Sequence, residues 1–361
     1  MGVKVYLGLS NGEARTVNSY NDKVFWEPLK EPNPHILISG SSGSGKTETL
    51  KVLCQELKDQ GVPLLIFDFH NDFLGFADQI IHEKNVRMHP LQILQGEKPM
   101  DVVYKISSIL TNTFNSITPV QEGTIREAIK KFYKSSGIED LHQPFYGKTK
   151  LLPFRRFPDF VQIASTDQRT MSSIKVKIDI LFDYELFDAY EDSINFDSLL
   201  SKTTVFQLKN APSDHVKRIV TEIMINKLIQ YSYNLEQSKD LRLFCLIDEA
   251  HRMVYPGSPI DTLLREARKY GIGVILASQR ATDFNENILA NAGTIITFKQ
   301  NLAKDARYIS KNKWGDQEQL MNANRGVGFI RMSSKKVAMP VSVVSLAERA
   351  RKKGTDVVKG E

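Results

Sequence analysis

The sequence predicts an α/β fold in which a mostly parallel central sheet is flanked by helices and interrupted by a mainly helical insertion. Three observations predict it. Residues 40–47 read Gly-Ser-Ser-Gly-Ser-Gly-Lys-Thr, a complete G-x-x-x-x-G-K-[ST] phosphate loop between an apolar run (35–39) and a helix-like run (48–54). Short continuous apolar runs such as Leu64-Leu65-Ile66-Phe67 alternate with helical patterns, as strands covered on both faces do. A third apolar run, Leu241 to Ile247, ends in the acidic pair Asp248-Glu249.

In chain order, residues 3–10 and 23–27 read as short strands separated by the turn-rich Ser10-Asn11-Gly12-Glu13, and Glu31-Pro32-Asn33-Pro34 punctuates the chain before the loop strand. The phosphate-loop helix is expected over about 46–60, ending at Gly61, with a buried strand at 63–69. Helical periodicity then appears at about 101–113, 119–135 and 168–186. Between these helices lie the aromatic and basic stretches 145–150 and Phe154-Arg155-Arg156-Phe157. The alternation returns with a strand at 204–208, a helix at about 213–234, and strands at 242–247, 273–277 and 294–298. The expected organisation is N-terminal strands and the first part of the core (1–100), a helical insertion subdomain (101–200), the second part of the core (201–347) and a basic, solvated tail (348–361).

Composition narrows the class. The 361 residues carry a net charge of +6, with 41% apolar and 25% charged residues, which is ordinary for a soluble globular chain. No run approaches a membrane-spanning length, and the N-terminus lacks the apolar core of a signal peptide. Tyr6 argues against myristoylation of Gly2. The two cysteines, Cys54 and Cys245, fall in core runs and read as small buried hydrophobes in a reducing cytoplasm. The basic charge is compatible with a polyanionic partner without establishing one.

The phosphate loop supplies the first half of a nucleotide site. Backbone N–H groups of Gly40, Ser41, Ser42, Gly43, Ser44 and Gly45 are expected to wrap a phosphate at the helix N-terminus opened by Lys46, Thr47 and Glu48. Lys46 would reach the β- and γ-phosphates of ATP, and the Thr47 hydroxyl would hold Mg²⁺. Asp248, at the tip of its strand, would be the second Mg²⁺-side group. Glu249, pointing the other way by strand alternation, would deprotonate the attacking water. Asp68 also ends a strand and is expected to support the site or cap the next segment. Ser278-Gln279-Arg280 tips a further strand on the same sheet edge, where ligands of open α/β sheets collect, and Gln279 is placed to sense the γ-phosphate.

These residues together resemble the HerA/FtsK superfamily of ring-forming DNA-pumping ATPases. Four stretches carry the resemblance: residues 34–40 into the phosphate loop, the strand ending at Asp68 with His70-Asn71-Asp72, Ile247-Asp248-Glu249-Ala250-His251, and residues 265–273 through Ser278-Gln279-Arg280. The resemblance implies a RecA-like P-loop NTPase core, a homo-hexamer with ATP between subunits, and an arginine given in trans. Arg268 is the first candidate for that arginine, with Arg280 next and Arg265 also considered. It further implies ATP-driven translocation of double-stranded DNA by a cytoplasmic motor without an integral membrane segment. A nuclease or other effector is an expected partner. A type IV secretion or conjugation motor and an ATP-switched scaffold are the alternatives. Only about 33 residues precede the loop strand, so the N-terminal β-barrel usual in HerA proteins is expected to be missing. DNA would be gripped by pore loops, with the stretch around Lys148, Lys150, Arg155 and Arg156 as one candidate.

Overall fold

The structure, a computed structural model, describes residues 2–10, 23–83, 86, 88–147, 150–165, 167–183, 187, 194–311 and 316–351. Its contacts divide the chain into two compact units, one of residues 1–80, 199–205 and 237–361, the other of 81–198 and 206–236. The second unit starts before residue 101 and takes in the helix Asp214–Ser232, whose apolar residues are buried on several sides.

Among the described residues the strands are β1 (Val5–Leu9), β2 (Lys23–Trp26), β3 (Ile36–Ser39), β4 (Leu64–Asp68), β5 (Gln79–His82), β6 (Thr204–Gln207), β7 (Ser238–Ile247), β8 (Tyr270–Ser278), β9 (Thr294–Thr297), β10 (Val327–Met332) and β11 (Met339–Val343). Their order is β2-β1-β11-β10-β9-β3-β8-β7-β4-β6-β5. The centre, β9-β3-β8-β7-β4, is parallel. From β9 outward through β10, β11, β1 and β2 every pairing is antiparallel. The fold class is therefore the expected one, with a wider antiparallel flank than the apolar runs announce. β5, β10 and β11 were not anticipated. β10 buries only alternate residues, and β11 carries Pro340, so neither has the continuous apolar run of a central strand.

The core beneath the sheet joins Ile36, Ile38, Leu64, Ile66, Phe244 and Ile275 to Leu50, Leu53, Cys54 and Leu57 of the phosphate-loop helix Lys46–Asp59. Both cysteines are buried, and burial pushes the Cys245 thiol up to about 12. The Gly-Ile-Gly step of residues 271–273 has a packing cause. Gly271 has φ +74, and a Cβ there would meet the Asp240 carbonyl oxygen at 2.2 Å. A Cβ on Gly273 would meet the Phe244 ring at 2.1 Å. The two glycines let β8 lie against β7, where Gly273 faces Phe244 in register.

In the second unit, the helix Pro119–Ser135 starts as its sequence dictates. Thr118 and Gln121 form a capping box, and Pro119 takes the first turn. The helical pattern at 168–186 is not one helix. The helix Gln168–Ile178 is capped by Asp167 and stops before Asp179, a short helix Ile180–Asp183 follows, and 184–186 lie outside the described residues. The aromatics of the 154–157 stretch are core. Phe154 stacks on Phe157 at 5.5 Å and on Phe182 at 5.1 Å. Arg156 pairs with Asp159 at 2.6 Å, Lys150 is exposed, and Lys148 lies outside the described residues.

One buried histidine sits in each unit. His35 Nε2 lies 2.9 Å from the Leu264 carbonyl oxygen, and His89 Nε2 lies 2.9 Å from that of Leu152. Burial, the dominant cause, lowers both rings from 6.5 to about 4. The unfolded chain therefore takes up these protons near pH 6.5 and the folded chain only near pH 4. More protons are bound by the unfolded state in that window, so stability is expected to fall as pH drops through it, by about 3 kcal/mol per ring. Urea unfolding midpoints across the window check this. The loss should be smaller in His35→Gln, whose amide keeps a donor for Leu264.

Candidate nucleotide site

The phosphate loop follows β3 and is pinned at the sheet edge. Gly40 N–H donates to the Ser278 carbonyl at 3.2 Å, and Ser41 N–H donates to that of Lys299 at 2.8 Å. A Cβ on Gly40 would meet Phe298 Cβ and Ser44 Oγ, each at 2.6 Å, so the loop can turn there only as glycine. Gly43 and Gly45 have φ +73 and +121, which opens the backbone N–H groups inward. Lys46 is buried, and its Nζ donates to the carbonyl oxygens of Gly40 (2.7 Å) and Ser41 (3.1 Å). Burial holds the Lys46 ammonium below its ordinary range, while Asp248 and Glu249 pull the other way. Thr47 is half-buried, and the exposed Glu48 side chain lies 3.8 Å from Lys51.

The acidic pair is arranged differently from a continuing strand. β7 ends at Ile247, and Asp248 Oδ1 accepts the Glu249 N–H at 2.8 Å. Glu249 has φ 55 and ψ 40, the left-handed region that costs a residue with a Cβ on the order of 1 kcal/mol. That turn, and not strand alternation, aims its carboxylate. Two neighbours hold it there. Gln279 Nε2 lies 3.2 Å from both carboxylate oxygens, and His251 Nδ1 lies 3.4 Å from Oε2. The His251 contact was not foreseen in the sequence, where its spacing of two from Glu249 carries no signal. Asp248 is raised to about 6, mainly by burial and further by the Glu249 charge, with the Glu249 N–H, Lys46 and His70 opposing.

Asp68 is a capping residue. Its carboxylate accepts N–H groups of His70 (3.1 Å), Asp72 (3.1 Å) and Phe73 (2.9 Å), which shapes the turn after β4. The Ser278-Gln279-Arg280 tip lies at the phosphate-loop edge, since Ser278 pairs with Ser39 in parallel register. Arg280 Nε reaches Asp305 at 3.3 Å.

Lys46, Asp248, Glu249 and Gln279 thus meet at one sheet edge. Arg265 and Arg268 do not join them. Both precede β8, and in a parallel sheet the residues before a strand lie at the edge opposite those after its neighbour. The nine residues of β8 put Arg268 roughly 30 Å from its own phosphate loop. There its guanidinium donates to Asn33 Oδ1 at 3.2 Å, at the wall of a cleft of about 700 Å³ shared with Glu31, Lys239 and Arg265.

The donor set fits ATP and Mg²⁺. Ser44 Oγ is buried without a partner inside the loop, and the Lys46 ammonium donates to loop carbonyls that phosphate oxygens can replace. Among the described residues no group of three His, Cys, Asp or Glu side chains could cage a metal. Thr47 and Asp248 could supply the small ligand set that Mg²⁺ takes alongside phosphates and water.

Strand order, phosphate loop and acidic pair define a RecA-like P-loop ATPase fold. VirB4 of Thermoanaerobacter pseudethanolicus superposes with a TM-score of 0.77 at 19% identity, covering 96% of this chain and 98% of that one. The plasmid coupling protein TrwB in complex with ADP and Mg²⁺ gives 0.65 at 12% identity, covering 95% and 94%. The family description "Helicase HerA, central domain" matches residues 31–227, and the chain belongs to that family. A second description, "Type IV secretion-system coupling protein DNA-binding domain", matches residues 185–350. The DNA double-strand break repair helicase HerA of Sulfolobus acidocaldarius is 24% identical over 312 residues, 80% of this chain and 58% of the relative. This chain therefore spans under three fifths of that relative's length. No helix among the described residues is long and apolar enough to cross a membrane.

Proposed function

We propose that the chain hydrolyses ATP between the subunits of a hexamer and uses the cycle to move double-stranded DNA. The observation that carries this reading is the contact of Gln279 with Glu249 beside Lys46 and Asp248. Lys46 exchanges the Gly40 and Ser41 carbonyls for phosphate oxygens. Thr47 and Asp248 hold Mg²⁺, which supplies positive charge against the phosphates when bound. Glu249 takes a proton from the attacking water, and Gln279 sets the direction of its carboxylate. Arg268 of a neighbouring copy is the proposed trans arginine. Its place at the far sheet edge removes it from its own loop and leaves it available to another chain.

Duplex DNA gripped through its phosphates is expected to raise ATP turnover, and the stimulation should shrink steeply as salt rises. Turnover indifferent to DNA, with ATP-dependent binding of a nuclease or other effector, would instead support the ATP-switched scaffold. The coupling-protein match at residues 185–350 favours a second reading, a conjugation or secretion motor built on the same site.

A further inference from the structure

We infer that Asp305, at a distance from the reacting atoms, is a positioning residue for hydrolysis. It would fix the turn that carries Gln279 and Arg280. The inference rests on the ATPase reading above. Asp305 lies in the first turn of the helix Ala303–Lys311 and is 2% exposed. A buried carboxylate persists only where its oxygens are satisfied, and here the donors come from one turn. Oδ1 accepts the Thr282 N–H at 3.2 Å and the Thr282 hydroxyl at 2.6 Å, and Oδ2 accepts Arg280 Nε at 3.3 Å. Three residues further along the helix, the Tyr308 hydroxyl donates to the Phe284 carbonyl at 2.9 Å. Ala281 packs with Ala306, Ile309 and Leu320 in a small cluster separate from the main core. Residues 280–284 are therefore fastened to this helix by charge, hydroxyl and apolar contacts together.

The same helix is tied to the phosphate loop. The segment that leads into it offers the Lys299 carbonyl to Ser41 N–H at 2.8 Å, and Phe298 N–H donates to the Ser39 carbonyl at 2.8 Å. One short connection thus touches the loop that holds phosphate, and the helix after it holds the turn that aims Gln279 at Glu249. A displacement of about 1 Å at Gln279 is enough to spoil proton transfer at Glu249. Asp305 acts through Gln279 and Arg280, so its loss should affect the chemical step and spare nucleotide binding.

The test is ATP turnover and nucleotide affinity in the full chain for Asp305→Ala, Thr282→Val and Thr282→Ser. Asp305→Ala is expected to lower kcat about tenfold or more while KM and the affinity for a fluorescent ATP analogue stay within about twofold. Thr282→Val should lower kcat in the same direction, and Thr282→Ser, which keeps the hydroxyl, should retain it. Added to Gln279→Ala, Asp305→Ala should cost little more, because both act on one geometry. Hydrogen exchange at residues 280–284 should quicken in Asp305→Ala. If Asp305→Ala fails to fold, Thr282→Val carries the same readouts. Wild-type kcat in Asp305→Ala or Thr282→Val, or effects that multiply fully with Gln279→Ala, would overturn the inference. The two failures differ. Turnover that is absent, or untouched by Glu249→Gln, overturns the assignment of hydrolysis to this site, whereas Glu249-dependent turnover with unchanged kcat in Asp305→Ala overturns this inference alone.

Discussion

Glu249→Gln is expected to lower ATP turnover by about 10²–10⁴-fold while ATP stays bound. That corresponds to about 3–5 kcal/mol of barrier, the share that a well-placed general base contributes. The substitution keeps the length and shape of the side chain, and its amide oxygen still accepts from Gln279. It removes the one capacity that matters, taking a proton from water. Binding should survive because the proposed phosphate contacts would come from the loop backbone and Lys46, which lie between β3 and its helix and not on the β7 turn. Steady-state hydrolysis measured beside equilibrium binding checks both halves. Loss of binding together with turnover would mean that Glu249 supports the fold of the site instead of the chemistry.

Lys46→Ala is expected to weaken ATP binding by at least about a hundredfold, since charge-assisted bonds to phosphate are worth about 1.5–3 kcal/mol each and Lys46 is proposed to reach two phosphates. Without nucleotide the same change should leave stability within about 1 kcal/mol. The ammonium's burial disfavours its charge, which offsets the bonds it makes to the Gly40 and Ser41 carbonyls. Titration with a fluorescent ATP analogue and thermal unfolding of the nucleotide-free variant separate the two effects. Tight binding in Lys46→Ala would show that the loop backbone alone carries the affinity.

The sequence was legible where its determinants are local. The phosphate loop needs glycines at fixed spacing, and the helix after it needs only its own apolar stripe, so both could be placed to within a residue or two. The parallel strands were legible as apolar runs because both of their faces are covered. β10 and β11 were not, because β10 buries only alternate residues and β11 carries Pro340, so neither shows a continuous apolar run. β11 pairs with β1, with Val343 opposite Gly8. The left-handed turn at Glu249 leaves no mark either, since residues that favour such a turn are Gly and Asn, and Glu is held there by its surroundings. Asp305 reads as one more charge on an amphipathic helix until Thr282 and Arg280 fold onto it. The distance of Arg268 from the loop was implicit in the pattern. A residue that precedes one parallel strand must lie at the edge opposite a loop that follows another.

In the proposed cycle Glu249 performs hydrolysis at this sheet edge and duplex DNA stimulates it. The most direct measurement is the ATP hydrolysis rate of the wild-type chain, with and without duplex DNA at low salt, set against the Glu249→Gln chain under the same conditions. The expected result is a wild-type rate that rises with DNA and a variant rate that stays near background in both. Equal rates in the two chains, or a wild-type rate that duplex DNA leaves unmoved, would contradict it.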